Sequence, residues 1–290
     1  MIKETISKIL KKILDKGVSF DYAYFSFEET KGHYKNIYKI IASDKTYVLK
    51  KAKGNELDIY SFINNSVAFL PYYYGSSHYY NSDYILFDYI DGHNLMKTDK
   101  KSLRKVIDAV IALQKKYWAS SSLFGTSLDE AIKQRENRLS YLPEELKKTY
   151  EEYIDCFKKT PVTFSHEDLL PFNVLINQKH AYFFDLEVGG ILPYPTMLAR
   201  LISHTKEDKN ALFYLKKEDY QFAISYYFDN FIKQQGISYQ EYIKTMNLFI
   251  FNELIEWIYV YKKNNYQPNN FYNDYYQKAI MKIEEIKGAK

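Results

Sequence analysis

Two neighbouring stretches of the sequence combine acidic and amide side chains in a way that suits phosphoryl transfer. Residues 165–173 read Ser-His-Glu-Asp-Leu-Leu-Pro-Phe-Asn, and residues 184–187, beyond two short β-like runs, read Phe-Asp-Leu-Glu. Transfer from a nucleoside triphosphate needs a carboxylate that accepts the proton of the attacking hydroxyl, and a carboxylate and an amide oxygen that hold Mg²⁺ against the phosphates. Asp168 suits the first role, and Asn173 and Asp185 suit the second.

These groups follow the order H-x-D-L-x-x-x-N, two strands and a further D. This order resembles the catalytic and metal-binding loops of aminoglycoside phosphotransferases and of choline or ethanolamine kinases. Protein kinases, their relatives, carry H-R-D-L-x-x-x-N followed by D-F-G. Here Glu167 replaces the Arg, and residues 185–187 are similar to the D-x-E of choline-kinase-like enzymes. Both differences favour the branch that acts on small molecules. The resemblance implies Mg²⁺ and ATP, with GTP an open alternative, and His166 is interpreted as a structural histidine.

The resemblance extends upstream to residues expected to hold the phosphates. Residues 47–50, Tyr-Val-Leu-Lys, are similar to the family's V-x-K, whose lysine neutralises the α- and β-phosphates. The resemblance implies that Glu56, at the start of the next predicted helix, pairs with Lys50. Residues 32–38 stand where the family has its phosphate-binding loop, and Asn36 matches its pattern. This stretch contains one glycine, whereas close backbone approach to phosphate favours more.

Residues 84–92, Tyr-Ile-Leu-Phe-Asp-Tyr-Ile-Asp-Gly, resemble the family's hinge. The resemblance implies that main-chain groups of Asp88 and Ile90 face the adenine, with Phe87 behind it. A second departure from the family is Met197, which replaces the Asp that braces the catalytic loop, so another group would have to take that role. The resemblance covers residues 32–201, about three fifths of the chain.

Candidate acceptor-binding residues lie on the predicted helix 239–261. Glu253 and Trp257 share one face, one turn apart, and Glu256 lies on a neighbouring face. Carboxylates beside an indole ring suit a cationic amine through ion pairing and cation–π contact. Glu187 of the D-x-E run is the fourth candidate. The alternative is that Trp257 packs into the core while the glutamates face water.

The elements that must position these groups divide the chain into a β-rich first third and a helical remainder. Hydrophobic periodicity predicts helices at 2–14 and 56–63 and strands at 34–41, 46–50, 70–74 and 84–89. It then predicts helices at 103–118, 128–138, 144–157, 197–203, 217–234, 239–261 and 271–286, with a β-rich island at 162–184. We therefore expect an α+β, bilobal, protein-kinase-like fold. Residues 1–90 would form an N-lobe with an antiparallel sheet, and residues 91–290 a mainly helical C-lobe, with the ligand in the crevice between them.

Composition narrows the range of functions. The net charge is +4 and the lysines are scattered, which does not favour nucleic-acid binding. The single cysteine, Cys156, cannot form an internal disulfide, and neither a signal peptide nor a membrane span is evident. These features predict a cytoplasmic protein. We expect a small-molecule partner and either a monomer or a homodimer, between which the sequence does not decide. The 31 tyrosines and 19 phenylalanines fit an A/T-rich coding sequence or an aromatic-lined ligand site.

The main hypothesis is an ATP-dependent kinase that phosphorylates a hydroxyl of a small, amine-bearing acceptor of the choline, amino-alcohol or aminoglycoside type. The alternative from another class is a catalytically weak pseudokinase that serves as a binding or scaffolding protein, which the glycine-poor loop and Met197 favour. A protein kinase is disfavoured because D-F-G is missing and no A-P-E stretch follows Asp185.

Overall fold

The computed structural model describes residues 2–26, 33–122 and 124–288. The fold is α+β, with 51% helix and 20% strand, and it consists of an N-lobe built on an antiparallel sheet and a helical C-lobe. The predicted fold class is therefore confirmed. The division of the chain after residue 90 stays a prediction.

A five-stranded antiparallel sheet forms the centre of the N-lobe. Its spatial order is β1-β2-β3-β5-β4, and its strands are β1 (Phe20–Ser26), β2 (His33–Ala42), β3 (Thr46–Lys51), β4 (Tyr73–Tyr79) and β5 (Ser82–Asp88). Side chains alternate between its faces. Leu49 and Leu86 therefore meet helix α1 (Ile2–Leu14) on one face, whereas Val48 and Phe87 join the core that contains helix α2 (Glu56–Ile63).

Two of these strands differ from the sequence prediction. Strand β1 was not predicted, and it pairs with β2 alone at the edge of the sheet. The strand expected at 70–74 runs instead from Tyr73 to Tyr79, after Pro71, and it bulges near Gly75, where φ is +133°. Its outer half is polar because β4 is the other edge strand, so it lacks the apolar alternation that would have indicated its length.

Helices make up most of the C-lobe, close to the predicted positions. They are α3 (Lys100–Lys116), α4 (Leu128–Leu139), α5 (Glu144–Lys159), α6 (Pro195–Ser203), α7 (Lys217–Asn230), α8 (Tyr239–Lys263) and α9 (Asn270–Gly288). The predicted helix 217–234 breaks after Asn230 and continues as a 3₁₀ turn over Ile232–Gln235. In the described part of the chain, no helix combines the length and apolar composition needed to cross a membrane.

Short strands position the two loops singled out from the sequence. They are β6 (His93–Asn94), β7 (Val162–Ser165), β8 (Val174–Ile176), β9 (Ala181–Phe183) and β10 (Gly190–Pro193). Loop 166–173 joins β7 to β8, and loop 184–189 joins β9 to β10. Because β7 pairs with β10 and β8 pairs with β9, the ends of both loops are held together.

Candidate active site

Loop 166–173 is anchored by a buried arginine from helix α4. Glu167 has a φ of +58°, a left-handed conformation that is strained for a residue with a side chain. Its carboxylate accepts a hydrogen bond from Arg135, which also donates to Tyr153 Oη at 2.7 Å and to the Ala131 carbonyl at 3.1 Å. The Arg135 guanidinium lies 4.1 Å from the ring centroid of Phe157. Glu167 stands at the position where protein kinases carry arginine, and its bond to Arg135 connects the loop to helix α4.

Replacing Arg135 with Met should destabilise the protein by about 3 kcal/mol, the lower end of the range for a broken buried ion pair, because the partly buried carboxylate of Glu167, 15% exposed, would lose its counter-ion. Urea unfolding followed by circular dichroism measures this change. Arg104→Met is the matched control, since the Arg104 side chain is 62% exposed and its loss should cost less than about 1 kcal/mol. Equal stability of the two variants would contradict the anchoring role.

His166 connects the two loops. Its Nε2 lies 2.8 Å from the carbonyl oxygen of Phe184, and burial lowers the pKa of the ring below its usual value. The neutral ring therefore donates its Nε2–H to that carbonyl. This geometry fits the structural interpretation of His166, because the bond holds Asp185, the next residue, beside loop 166–173.

Asn173 and Asp168 are bonded to each other within loop 166–173. Asn173 Nδ2 donates to the Asp168 carbonyl oxygen at 2.8 Å and lies 3.3 Å from Asp168 Oδ2. These contacts turn the Asn173 amide oxygen away from Asp168, and no described residue donates to that oxygen. The Asp168 side chain is 30% exposed although Asn173 is buried. The loop therefore presents one partly exposed carboxylate and one amide oxygen to which no described residue donates.

Lys50 joins the sheet, helix α2 and the loop that carries Asp185. Its Nζ donates to Glu56 Oε1 at 2.7 Å and to Asp185 Oδ1. Burial opposes the charge of Lys50, but the two carboxylates outweigh it and raise its pKa, so the ammonium stays charged. Asp185 has a φ of +66°, so both loops carry a non-glycine residue in the left-handed region. The six-residue separation of Lys50 and Glu56 allows a direct pair because Glu56 begins helix α2.

The candidate hinge follows strand β5. The ring of Phe87 stacks on Tyr60, with centroids 5.7 Å apart and an interplanar angle of 10°. The Asp88 amide donates to the Tyr72 carbonyl at 2.9 Å, which leaves its carbonyl as the main-chain group that could face a base. Its carboxylate is held by Lys45 at 2.9 Å and by the Tyr74 hydroxyl. The N–H and carbonyl of Ile90 have no partner within the described ranges, so they are available to a ligand.

Asn36 lies in strand β2 with an exposed side chain and a φ of +64°. Asparagine adopts this region more readily than most residues. Residues 27–32, which include the start of the predicted phosphate-binding loop, lie outside the described residues. The contribution of Asn36 to phosphate binding therefore stays a prediction.

An arginine that sequence reasoning missed lies between the predicted acceptor-binding glutamates and Asp168. Arg200 of helix α6 donates to Asp168 Oδ1 from Nη2 at 2.7 Å and from Nε at 3.1 Å. Its Nη1 donates to Glu253 Oε2 at 3.0 Å and to Glu256. Both glutamates are thus joined to Asp168 through one guanidinium. The signal that could have revealed Arg200 is a single charge in an otherwise buried helix.

The charges in this cluster stabilise one another. Burial opposes the charge of Glu253, but Arg200 and His204 outweigh it and lower the pKa of Glu253 to about 2. His204 Nε2 lies 3.2 Å from Arg200 Nη1, and His204 Nδ1 lies 2.9 Å from the Tyr275 hydroxyl oxygen. Three carboxylates, those of Asp168, Glu253 and Glu256, surround one guanidinium. The surroundings of Asp168 therefore carry an excess of negative charge.

The two remaining acceptor candidates are partly exposed. Trp257 is 37% exposed and packs edge-on against Phe271, with ring centroids 5.2 Å apart, so it is not the core residue of the alternative interpretation. Glu187 is half-buried, and its carboxylate has no partner among the described residues. Its carbonyl oxygen accepts a hydrogen bond from the Asn55 amide at 2.8 Å. Gly54, with a φ of +48°, passes so close to this carbonyl that a Cβ at position 54 would clash with it.

Comparison with solved structures shows that the protein has the protein-kinase-like fold of aminoglycoside phosphotransferases and choline or ethanolamine kinases. It resembles a choline/ethanolamine kinase family protein from Mesorhizobium loti, with a TM-score of 0.63 and 16% identity over 100% of this chain and 98% of that one. It also resembles the choline kinase LicA from Streptococcus pneumoniae, with a TM-score of 0.60 and 13% identity over 98% and 99% of the two chains.

A third similar structure is an aminoglycoside phosphotransferase in a ternary complex with ADP and hygromycin B. Its TM-score is 0.55, with 15% identity over 97% of this chain and 96% of that one. No protein-family model and no curated protein matches the sequence. At these identities, the likeness establishes the fold.

Proposed function

We propose that the protein is an ATP- and Mg²⁺-dependent kinase that transfers the γ-phosphoryl group to a hydroxyl of a small, amine-bearing acceptor of the choline, amino-alcohol or aminoglycoside type. The observation that carries the proposal is the convergence of Lys50, 135 residues away in the sequence from Asp185, with the neighbouring loops that carry Asp168, Asn173 and Asp185. The contacts of Lys50 with Asp185 and of His166 with the Phe184 carbonyl bring them together. The similarity to choline kinases and to an aminoglycoside phosphotransferase that binds ADP supports it.

The nucleotide would lie between the N-lobe, residues 1–90, and the C-lobe, residues 91–290. In this proposal, the Ile90 N–H and the Asp88 carbonyl bond the base, and Phe87 closes the site behind it. Lys50, charged and held by Glu56, neutralises the phosphates, and Asn36 lies at the phosphate-binding loop. The unpaired main-chain groups of Ile90 fit a base that needs one donor and one acceptor.

Asn173 and Asp185 would hold Mg²⁺. Mg²⁺ prefers oxygen ligands, and the Asn173 amide oxygen is left without a hydrogen bond by the orientation of its NH₂ group, so the residues fit the ion. When bound, Mg²⁺ supplies positive charge to the phosphate oxygens. Asp168 accepts the proton of the acceptor hydroxyl and orients it, and positioning provides most of the acceleration.

The charge around Asp168 favours an acceptor that carries an amine. The carboxylates of Asp168, Glu253 and Glu256 outnumber the guanidinium of Arg200. Trp257, beside Glu256 in sequence, exposes an aromatic surface that can make a cation–π contact, and the free carboxylate of Glu187 can pair with an amine. We further propose that the protein acts in the cytoplasm, as a monomer or homodimer.

Stimulated turnover of nucleotide tests this function. The protein is incubated with Mg-ATP or Mg-GTP and, one at a time, choline, ethanolamine, aminoglycosides and amine-free sugars. ADP or GDP release is measured, and the product is identified by phosphorus NMR. An amine-bearing alcohol should raise turnover about tenfold or more above hydrolysis by water, since orientation favours a bound hydroxyl. Failure of every compound to accept phosphate would sink the proposal.

The second candidate function, a weakly active pseudokinase, is favoured by Met197. Its side chain is fully buried at the position where the family carries a loop-bracing acid. A scaffold of this kind would bind nucleotide without Mg²⁺-dependent turnover. If the wild type shows Mg²⁺-dependent turnover and the Asp168→Asn variant does not, the pseudokinase function is therefore excluded.

A further inference from the structure

We propose that Arg200 is the positioning residue of the catalytic carboxylate, taking over the bracing role left open by Met197. The inference rests on the proposed kinase function. Helix α6 carries both residues, one turn apart. Met197 points into the core, whereas Arg200 reaches loop 166–173 and bonds the carboxylate of Asp168 itself. The carboxylate of Asp168 is therefore held by the guanidinium of Arg200 instead of by an acid at position 197.

The hydrogen bonds of Arg200 distinguish the two oxygens of Asp168. An arginine paired with a carboxylate commonly bonds both oxygens through two parallel N–H groups. Here Nε and Nη2 of Arg200 both donate to Oδ1, at 3.1 and 2.7 Å. Oδ2 has only the longer contact of 3.3 Å with Asn173 Nδ2. Oδ2 is therefore the oxygen left to receive the proton of the acceptor hydroxyl.

Helix α8 fixes the guanidinium from its other side. Glu253 Oε2 lies 3.0 Å from Arg200 Nη1, and Glu256 contacts the same nitrogen. The Arg200 side chain is only 12% exposed, so no bulk water competes for most of its N–H groups. With the guanidinium held on both sides, Asp168 cannot rotate without breaking a charge-assisted bond. Such fixed geometry before reaction is what positioning requires.

This arrangement changes the role of the two glutamates. The sequence predicts that Glu253 and Glu256 bind the acceptor directly, whereas in the structure both are bonded to Arg200. In our proposal Glu253 acts through Arg200, which it keeps in place. Glu256, whose side chain is 31% exposed, holds Arg200 and also adds negative charge near the acceptor.

Arg200→Met tests the positioning role. We expect Mg-ATP turnover, measured as ADP release with the acceptor found by the screen, to fall about 30- to 100-fold, because a small displacement of a catalytic group has effects of this size. The dissociation constant of Mg-ATP, measured by calorimetry, should be unchanged. Arg200→Lys should lose less turnover than Arg200→Met, because the lysine ammonium can still make part of the charge-assisted contacts that the arginine guanidinium makes. Arg104→Met is the matched control and should turn over at the wild-type rate.

A double variant separates positioning from a general structural effect. If Arg200 acts through Asp168, adding Arg200→Met to Asp168→Asn should lower the residual rate no further, because the carboxylate that Arg200 positions is already absent. A further fall of the same size as in the wild-type background would assign the effect to the fold and overturn the proposal. Wild-type turnover in the single variant Arg200→Met would also overturn the proposal.

Loss of Arg200 alone leaves the buried carboxylate of Glu253 and the partly exposed carboxylate of Glu256 without their arginine partner and could unfold the protein. The triple variant Arg200→Met, Glu253→Gln, Glu256→Gln removes those charges and, at saturating acceptor, should show the same fall in turnover with an intact circular dichroism spectrum. Failure of the two proposals is distinguishable. If the wild type phosphorylates no acceptor, both are overturned, whereas an active wild type with an equally active triple variant overturns the positioning role alone.

Discussion

Asp168→Asn is expected to lower Mg-ATP-dependent phosphoryl transfer about 100- to 10,000-fold, the range typical of a lost general base. The amide keeps the shape of the side chain and can still face Arg200 and Asn173, so the loop should keep its structure. It cannot accept the proton of the attacking hydroxyl. Because Asp168 contacts neither Lys50 nor Asp185 in the structure, binding of Mg-ATP should be retained. Steady-state rates and calorimetry measure the two effects separately.

Asp155→Asn is the control for this substitution. Asp155 lies on helix α5 with an exposed side chain and belongs to none of the loops described above. It should leave both the rate and the affinity unchanged. Near-normal turnover in Asp168→Asn would show that another group accepts the proton and would remove Asp168 from the centre of the proposed site.

Asp185→Ala should act mainly on binding. Its carboxylate is the proposed charged ligand of Mg²⁺ and contacts Lys50, the proposed phosphate-binding lysine. We expect the dissociation constant of Mg-ATP to rise about 100-fold or more, which corresponds to about 2.7 kcal/mol. The effect should be larger than in Asp168→Ala. Calorimetric titration of each variant, with and without Mg²⁺, measures the difference.

The Mg²⁺ dependence identifies the cause of this loss. Without Mg²⁺, wild type and Asp185→Ala should bind ATP with similar weak affinity, and Asp155→Ala should follow the wild type in both conditions. Lys50 keeps Glu56 as a partner in the variant, so the N-lobe should remain folded. Equal Mg-ATP affinity in Asp185→Ala and Asp168→Ala would reject the division of roles between them.

The loops of the candidate site could be located from the sequence because their chemistry depends on local order. Asp168 and Asn173 are five residues apart and bond each other, so one short motif contains them both. Asp185 follows a hairpin whose strands pair directly. Lys50 and Glu56 lie in adjacent elements. The residues of each of these pairs lie close together in the sequence, so a short sequence pattern is enough to identify them.

The environment of Asp168 could not be predicted because it depends on distant parts of the chain. Arg200 reaches Asp168 across 32 residues, and Glu253 reaches Arg200 across 53. A lone arginine in an apolar helix indicates a buried partner but does not identify it. Glu253 and Trp257 lie on one helix, as their spacing predicts, yet spacing alone cannot show that a glutamate is already bonded to an internal cation.

The close passage of Gly54 beside the Glu187 carbonyl bears on how such an enzyme would be controlled. Protein kinases switch activity by displacing the helix that carries the glutamate partner of the phosphate lysine. In this protein the corresponding helix is α2, and Asn55 precedes it. The Asn55 amide donates to the carbonyl of Glu187, in the loop that carries Asp185. Gly54 lies so close to the same carbonyl that no side chain fits at position 54. Outward swinging of the helix is thereby disfavoured. In the proposed kinase, Glu56 would thereby stay within bonding distance of Lys50, so that this pair would need no separate activating step.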